Sequence, residues 1–179
     1  MKEKKKMTPA AWAKEIIIIF LCAAALAFVC KTFIIDSRQI PSASMEPTIE
    51  IGDRVVLWKL AYVFGEPQRG DIIVFAPPEE FAEKNDLIKR VIGLPGETVE
   101  IKDGLVYIDG EPLAEDYLAE PPDYEYGPVT VADDCYFVMG DNRNDSVDSH
   151  LWLNPFLPKD HIRGEAVFRY WPVSRMGGI

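Results

Sequence analysis

The chain of 179 residues holds only two histidines and three cysteines, and those scarcities remove several chemistries. Cys22 and Cys30 fall inside an apolar run, which leaves Cys135 alone in the remainder. A disulfide within that remainder is therefore excluded, and no paired cysteines carry zinc-site spacing. Basic side chains are scarce wherever a folded body can form. Residues 1–35 hold six of them (Lys2, Lys4, Lys5, Lys6, Lys14, Lys31) against Glu3 and Glu15. From Asp36 onward thirteen basic side chains face twenty-seven acidic ones. Phosphate binding rests on clustered lysine and arginine, so a body this acidic argues against a nucleic-acid partner. Long hydrophobic runs are also missing, with a single exception near the N-terminus. No internal repeat or low-complexity tract occurs.

Apolar residues make up 48% of the chain and aromatics 11%, enough for a packed core and contrary to disorder. The length fits about one domain with appendages. The one long apolar run extends from Ile16 to Cys30 and resumes, after Lys31 and Thr32, through Phe33-Ile34-Ile35. Twenty residues of helix span roughly 30 Å, the thickness of a bilayer's hydrocarbon core. Lysines ahead of the run predict a cytoplasmic N-terminus with the acidic body on the far side. A cleaved secretory signal shares the basic start, but no small-x-small site follows Ile35, where the chain reads Asp36-Ser37-Arg38-Gln39. The expected division is a basic cytoplasmic segment at 1–15, a transmembrane anchor at 16–35 and an extracytoplasmic all-β domain at 36–179.

The body reads as short β-rich runs separated by turns. Arg54–Trp58, Asp71–Phe75, Leu87–Leu94, Cys135–Met139 and Ala166–Trp171 have strand composition. Val99–Ile101 and Val106–Ile108 flank Asp103-Gly104, a hairpin signal, and Asp109-Gly110 marks a second turn. Pro77-Pro78 opens a charged loop reaching about Asn85, and Ala114–Pro128 reads as a long surface connection. Many short strands with frequent turns predict a mainly β barrel or sandwich behind one N-terminal transmembrane helix.

Directly after the anchor comes Pro41-Ser42-Ala43-Ser44-Met45-Glu46-Pro47-Thr48, two hydroxyls on a proline-bracketed turn. Prolines at both ends exclude a helix interior or a central strand. A serine on such a turn is a candidate nucleophile that needs a base. His161, after Pro158-Lys159-Asp160, reads as a solvated loop residue. His150 closes the run Asp145-Ser146-Val147-Asp148-Ser149-His150, so a Ser44–His150–Asp148 triad is one option. Lys89 is the other. On a strand, Leu87, Lys89 and Val91 share one face, which sets the amine among apolar neighbours. An ordinary lysine is protonated at pH 7 and useless as a base, but desolvation lowers its pKa by up to roughly 3–5 units. Spacing leaves both options open. The turn-rich stretch Gly140–Ser149 lacks the Asp-x-Asp-x-Asp-Gly register of a calcium loop, and neither metal nor cofactor is expected.

Four of these stretches, in order, resemble the bacterial type I signal peptidases, membrane-bound proteases with a serine–lysine dyad. They are Pro41–Thr48, Gly52-Asp53-Arg54-Val55-Val56, Lys89–Glu97, and Gly140-Asp141-Asn142-Arg143 with Ser146, Asp148 and Ser149. The resemblance implies Ser44 as nucleophile, Lys89 as general base and Ser42 in the oxyanion hole beside the Ser44 N–H. It implies that Ser146 bonds and orients the lysine amine while Asp148 braces that wall. Ile40, Val55 and Ile88 align with the lining of small apolar substrate pockets. The implied substrates are secreted precursors cut after a small-x-small, Ala-x-Ala-like motif, met at the lipid bilayer of the cell membrane; the sequence does not set the oligomeric state, and a monomer is assumed. Two departures stand out. Asn144-Asp145 reverses the family's usual order, and His150 occupies the place of an arginine that pairs with the counterpart of Asp148. Two other classes share parts of the pattern: self-cleaving repressors, which carry a DNA-binding segment instead of an anchor, and an inactive membrane-anchored scaffold or binding module of the same fold.

Overall fold

The computed structural model describes residues 9–78 and 85–179. Lys2 to Lys6 and most of the charged loop expected between Pro77 and Asn85 lie outside the described residues.

Helix α1 covers Pro9–Val29 and is continued by a wider π turn over Cys30–Ile34. Its sequence is rich in alanine, leucine and isoleucine, and no glycine or proline interrupts it after Pro9. Apolar side chains cover it on all sides, and Ile16 to Leu21, Leu26 and Phe28 are exposed rather than packed on the body. The apolar stretch Trp12–Ile34 is 23 residues long, about 35 Å of helix. It begins four residues before the sequence-based estimate.

Strand β1, Ile35–Gln39, follows without a linker. Then come β2 (Arg54–Trp58), β3 (Ile72–Phe75), β4 (Leu87–Gly93), β5 (Thr98–Lys102), β6 (Leu105–Ile108), β7 (Glu111–Pro112), β8 (Tyr126–Thr130), β9 (Cys135–Met139), β10 (Leu157–Pro158), β11 (Ile162–Trp171) and β12 (Gly177–Gly178). The larger sheet runs β1-β2-β11-β3-β4-β9-β10, with β12 on β11, and the smaller runs β7-β6-β5-β8. All pairings are antiparallel. The β5–β6 hairpin turns on Asp103 and Gly104, with φ of 51° and 74°. Positive φ at both central residues is what a tight hairpin compatible with strand twist requires, and Asp-Gly supplies it.

Besides the two-residue strands β7, β10 and β12, two longer strands escape the sequence reading. β1 lies where the chain was expected to be leaving the membrane, and β8 lies at the end of the expected long connection. Each has a half-exposed pattern at a sheet edge, so neither shows clean apolar alternation. Three apolar clusters fill the body. One of them joins Ile40, Met45 and Ile49 of the turn carrying Ser44 to Val55, Leu57, Ile72, Val74, Ile88 and Ala166 of the large sheet.

Candidate active site

The turn carrying Ser44 is fixed from both ends. Ile40 N–H donates to Asp53 O and Gly52 N–H donates back to Ile40 O, both at 2.9 Å. Met45 and Ile49, which follow Ser44, are fully buried, so they peg the turn into the core. Its exit is held by Arg169, whose Nη1 donates to Thr48 O at 2.7 Å. Gly52 takes φ +88°, which lets the chain reverse into β2. Ser44 is thus presented on a rigid corner.

Lys89 sits on β4, inside the sheet between β3 and β9, with Ile73 as its partner on β3. Only 4% of the residue is exposed, so it does not reach out from a sheet edge. Its Nζ donates to Ser44 Oγ at 2.5 Å, its one hydrogen bond among the described residues. Burial lowers the amine's pKa to about 8, against the pull of the Asp148 and Asp141 carboxylates in the other direction.

The loop after β9 closes the site. Arg90 pairs with Met139 and Val91 with Val138, so the same register extended by one step sets Gly140 opposite Lys89. A Cβ at Gly140 would lie 2.3 Å from both Ser44 O and Ser146 Oγ, so only glycine permits this approach. Asn142 N–H donates to Ser44 O at 3.1 Å and its Nδ2 to Ala43 O at 3.3 Å, tying the loop to the turn that carries Ser44. The loop is itself held by two buried ion pairs. Arg90 meets Asp141 through Nε at 2.8 Å and Nη2 at 2.6 Å. Arg143 meets Glu115 through two bonds of 2.7 and 2.6 Å, and its Nε donates to Gly140 O at 3.0 Å. Tyr117 lies under the Arg90 guanidinium at 4.0 Å.

Ser146 and Asp148 stand beside the amine, but Ser146 Oγ donates to Asp148 Oδ2 at 2.6 Å rather than serving the amine directly. Gly140 N–H donates to the same oxygen at 2.8 Å. His150 Nδ1 lies 2.7 Å from Asp148 Oδ1. An ionised carboxylate only accepts, so the ring donates there. The ring also stacks on Tyr124 with centroids 4.1 Å apart. The histidine therefore reaches the aspartate despite being shorter than arginine. It lies on the side of Asp148 away from Ser146, and Ser44 bonds Lys89 instead, so the parts of a histidine triad are not brought together. The Asn144-Asp145 reversal is absorbed outside the site, where Asn144 bonds Asp123 N–H and Pro121 O.

Ser42 Oγ lies 3.4 Å from Ser44 Oγ. A groove of about 500 Å³ leads up to this corner, and Ile40 and Ile88 both line it. Val55 does not. It is fully buried in the same cluster as Ile40, and Val74 from β3 borders the groove with Ile40 and Ile88. Among the described residues no three His, Cys, Asp or Glu side chains gather in a metal-holding group. Asp141, Asn142, Arg143 and Arg90 stand in the stretches that carry the resemblance, but their pairings, Arg90 with Asp141, Arg143 with Glu115 and Asn142 with the Ser44 turn, went unread in the sequence. The added signal was the adjacency of Arg90 to Lys89 on β4 and of Asp141 to the end of β9, two strands that turn out to pair.

A buried amine bonded to a serine hydroxyl, on a β body behind an exposed apolar helix, has the parts of a serine hydrolase. Comparison with known proteins narrows this. The family model described as signal peptidase, peptidase S26, matches residues 12–171. A signal peptidase I of Leptolyngbya laminosa is 50% identical over 86% of this chain and 77% of that protein. A probable signal peptidase I-1 of Synechocystis is 51% identical over 96% of this chain and 90% of that protein. A crystal structure of a signal peptidase I from Enterococcus faecalis V583 is 37% identical, with a TM-score of 0.49, and covers 56% of this chain and 96% of that one. The chain belongs to the signal peptidase family, and its reaction class is that of a serine endopeptidase acting on signal peptides.

Proposed function

We propose that Ser44 is the nucleophile and Lys89 the general base of this peptidase. The observation that carries the reading is the 2.5 Å bond from a buried lysine amine to a serine hydroxyl. In its neutral form Lys89 takes the Ser44 proton as Oγ attacks the scissile carbonyl. The oxyanion that forms is met by the Ser44 N–H and the Ser42 hydroxyl, each donor worth roughly 3 kcal/mol. The protonated amine then passes its proton to the leaving amine, and the acyl-enzyme is hydrolysed by a water that the neutral amine activates. Ser146 and Asp148 hold the wall against which the amine packs.

The precursor lies extended in the groove past Ile40 and Ile88, adding a strand to the exposed backbone. Small side chains at the first and third positions before the bond fit a lining of this size, which is the small-x-small pattern. The apolar stretch Trp12–Ile34 acts as the anchor. The lysines at positions 2–6 keep the N-terminus in the cytoplasm, and the catalytic domain, from β1 onward, faces the other side of the cell membrane. The substrate's own apolar segment is held in the same bilayer, so enzyme and precursor meet in two dimensions. Incubating the detergent-solubilised protein with a precursor and sequencing the new N-terminus tests the reading. Cleavage after a small-x-small motif, lost in Ser44→Ala and in Lys89→Ala, is expected. Near-normal cleavage by Lys89→Ala would sink the dyad.

A further inference from the structure

The groove leading to Ser44 changes character along its length. Near the catalytic corner its walls are Ile40, Pro41 and Ile88 over Val74, and at the far end they are Arg38 and Asp86. The two walls run in the same direction, one from Arg38 towards Ser44 and the other from Asp86 towards Lys89. At the far end Arg38 Nη2 donates to Asp86 Oδ2 at 3.1 Å across the groove, while its Nη1 donates to Asp36 Oδ2 at 2.6 Å. Arg163 Nε lies 3.9 Å from Asp86 Oδ1. Two cations and two anions therefore balance at this end. The Arg38 side chain is 35% exposed and that of Asp86 24%, so a peptide lying in the groove reaches both.

Three strand residues take the chain from Asp86 to Lys89, about 10 Å at roughly 3.3 Å each. An extended precursor with its scissile carbonyl at Ser44 covers that distance in about three residues. Its fourth residue before the bond then lies between Arg38 and Asp86. This placement rests on the reading above, in which the upstream segment runs along Ile40 and Ile88.

We propose that Arg38 and Asp86 are specificity-determining residues that read the charge of the precursor at about the fourth position before the scissile bond. A charged side chain there meets one attractive and one repulsive wall, and balanced walls select for a neutral residue. Removing one wall's charge leaves the other to decide, which is how like-charge repulsion and opposite-charge attraction set partner choice elsewhere. Half-exposed ion pairs are worth up to about 1 kcal/mol, so each change is expected to move a preference roughly threefold to fivefold.

The test uses full-length protein in detergent and three peptides ending in Ala-x-Ala before the bond, with Gln, Glu or Lys at the fourth position. The readout is kcat/KM for each. The wild type is expected to cut the Gln peptide best and the Glu and Lys peptides about equally. Asp86→Asn should raise the Glu-to-Lys ratio threefold to fivefold, and Arg38→Gln should lower it by as much. Arg38→Lys keeps the charge and should restore the wild-type ratio if Arg38→Gln folds poorly. Ratios that stay at the wild-type value in Asp86→Asn and Arg38→Gln, with the Gln peptide still cut, overturn the proposal. Two shifts in the same direction overturn it equally, because a merely structural role has no reason to follow charge. Failure of the dyad reading looks different: Ser44→Ala would cut all three peptides.

Discussion

Replacing Lys89 with methionine separates the cost of the buried amine from its use. The side chains are similar in length, and methionine adapts to irregular sites, so packing changes little. The amine's pKa falls from an ordinary 10.5 to about 8 on folding, chiefly through desolvation. Between those values the unfolded chain binds more protons at this site than the folded one, so wild-type stability rises with pH across that window. Below about pH 8 both states are protonated and the folded state bears the full penalty. Above about pH 10.5 neither is, and the penalty vanishes. At 1.36 kcal/mol per unit, the penalty is about 3 kcal/mol at pH 7 and below about 0.5 kcal/mol at pH 10.5. Lys89→Met is therefore expected to be more stable than wild type at pH 7 by up to about 3 kcal/mol, with the gain fading as the pH approaches 10.5. It is also expected to lose cleavage by a factor on the order of 100 to 10,000, the usual worth of a general base. Urea unfolding of both proteins in the same detergent at pH 7 and pH 10, followed by tryptophan fluorescence, reads the difference. A variant no more stable at pH 7, or one whose gain is the same at both pH values, would refute the claim that this amine is held against its preference for water.

The wild type's kcat/KM should rise with pH along a single titration centred near 8, because roughly a tenth of the amine is neutral at pH 7 and about nine-tenths at pH 9; a profile flat from pH 6 to 10 would contradict this. Gly140→Ala puts a methyl 2.3 Å from Ser44 O, and a backbone corner displaced by about 1 Å should cost on the order of 100-fold in kcat with the fold retained. Near-normal turnover by that variant would show that the corner tolerates displacement. His150→Ala removes one bond to Asp148 and a stacked ring, so it should destabilise the body by roughly 1–3 kcal/mol while leaving far more activity than Ser44→Ala; equal loss in the two variants would return the base to the histidine.

The strands that make Lys89 a buried residue were plain in the sequence, because Cys135–Met139 is an apolar run of strand length and Leu87–Gly93 interrupts its β-branched and apolar residues only with Lys89-Arg90. The order of the motifs likewise announced which side chains belong together. What composition did not reveal was β1, since Ile35–Gln39 has a charged, half-exposed pattern and derives its strand character from pairing with β2. Nor did it reveal that Gly140 faces Lys89, because that depends on register between strands some fifty residues apart. Val55 raises a related point. It lies on β2 as read and shares one buried cluster with Ile40 and Val74, yet only those two border the groove, and which buried side chain borders a groove is a property of packing rather than of pattern.

The amine stays deprotonatable because the anions nearest to it are already engaged. Asp148 offers Oδ2 to Ser146 and to the Gly140 N–H, and Oδ1 to His150. Asp141 is held through both oxygens by Arg90. Each carboxylate raises the lysine's pKa through space, yet neither accepts a bond from Nζ, and desolvation prevails over both. Had either paired directly with Lys89, a buried ion pair would have fixed the amine in its charged, unreactive form. Under this arrangement Ser146 bears on the Lys89 amine without bonding it, by occupying the Asp148 oxygen that would otherwise accept from the amine. His150 does the same from the other side, which explains how a residue other than arginine serves there: the position needs a donor to Oδ1, and the imidazole Nδ1 supplies one.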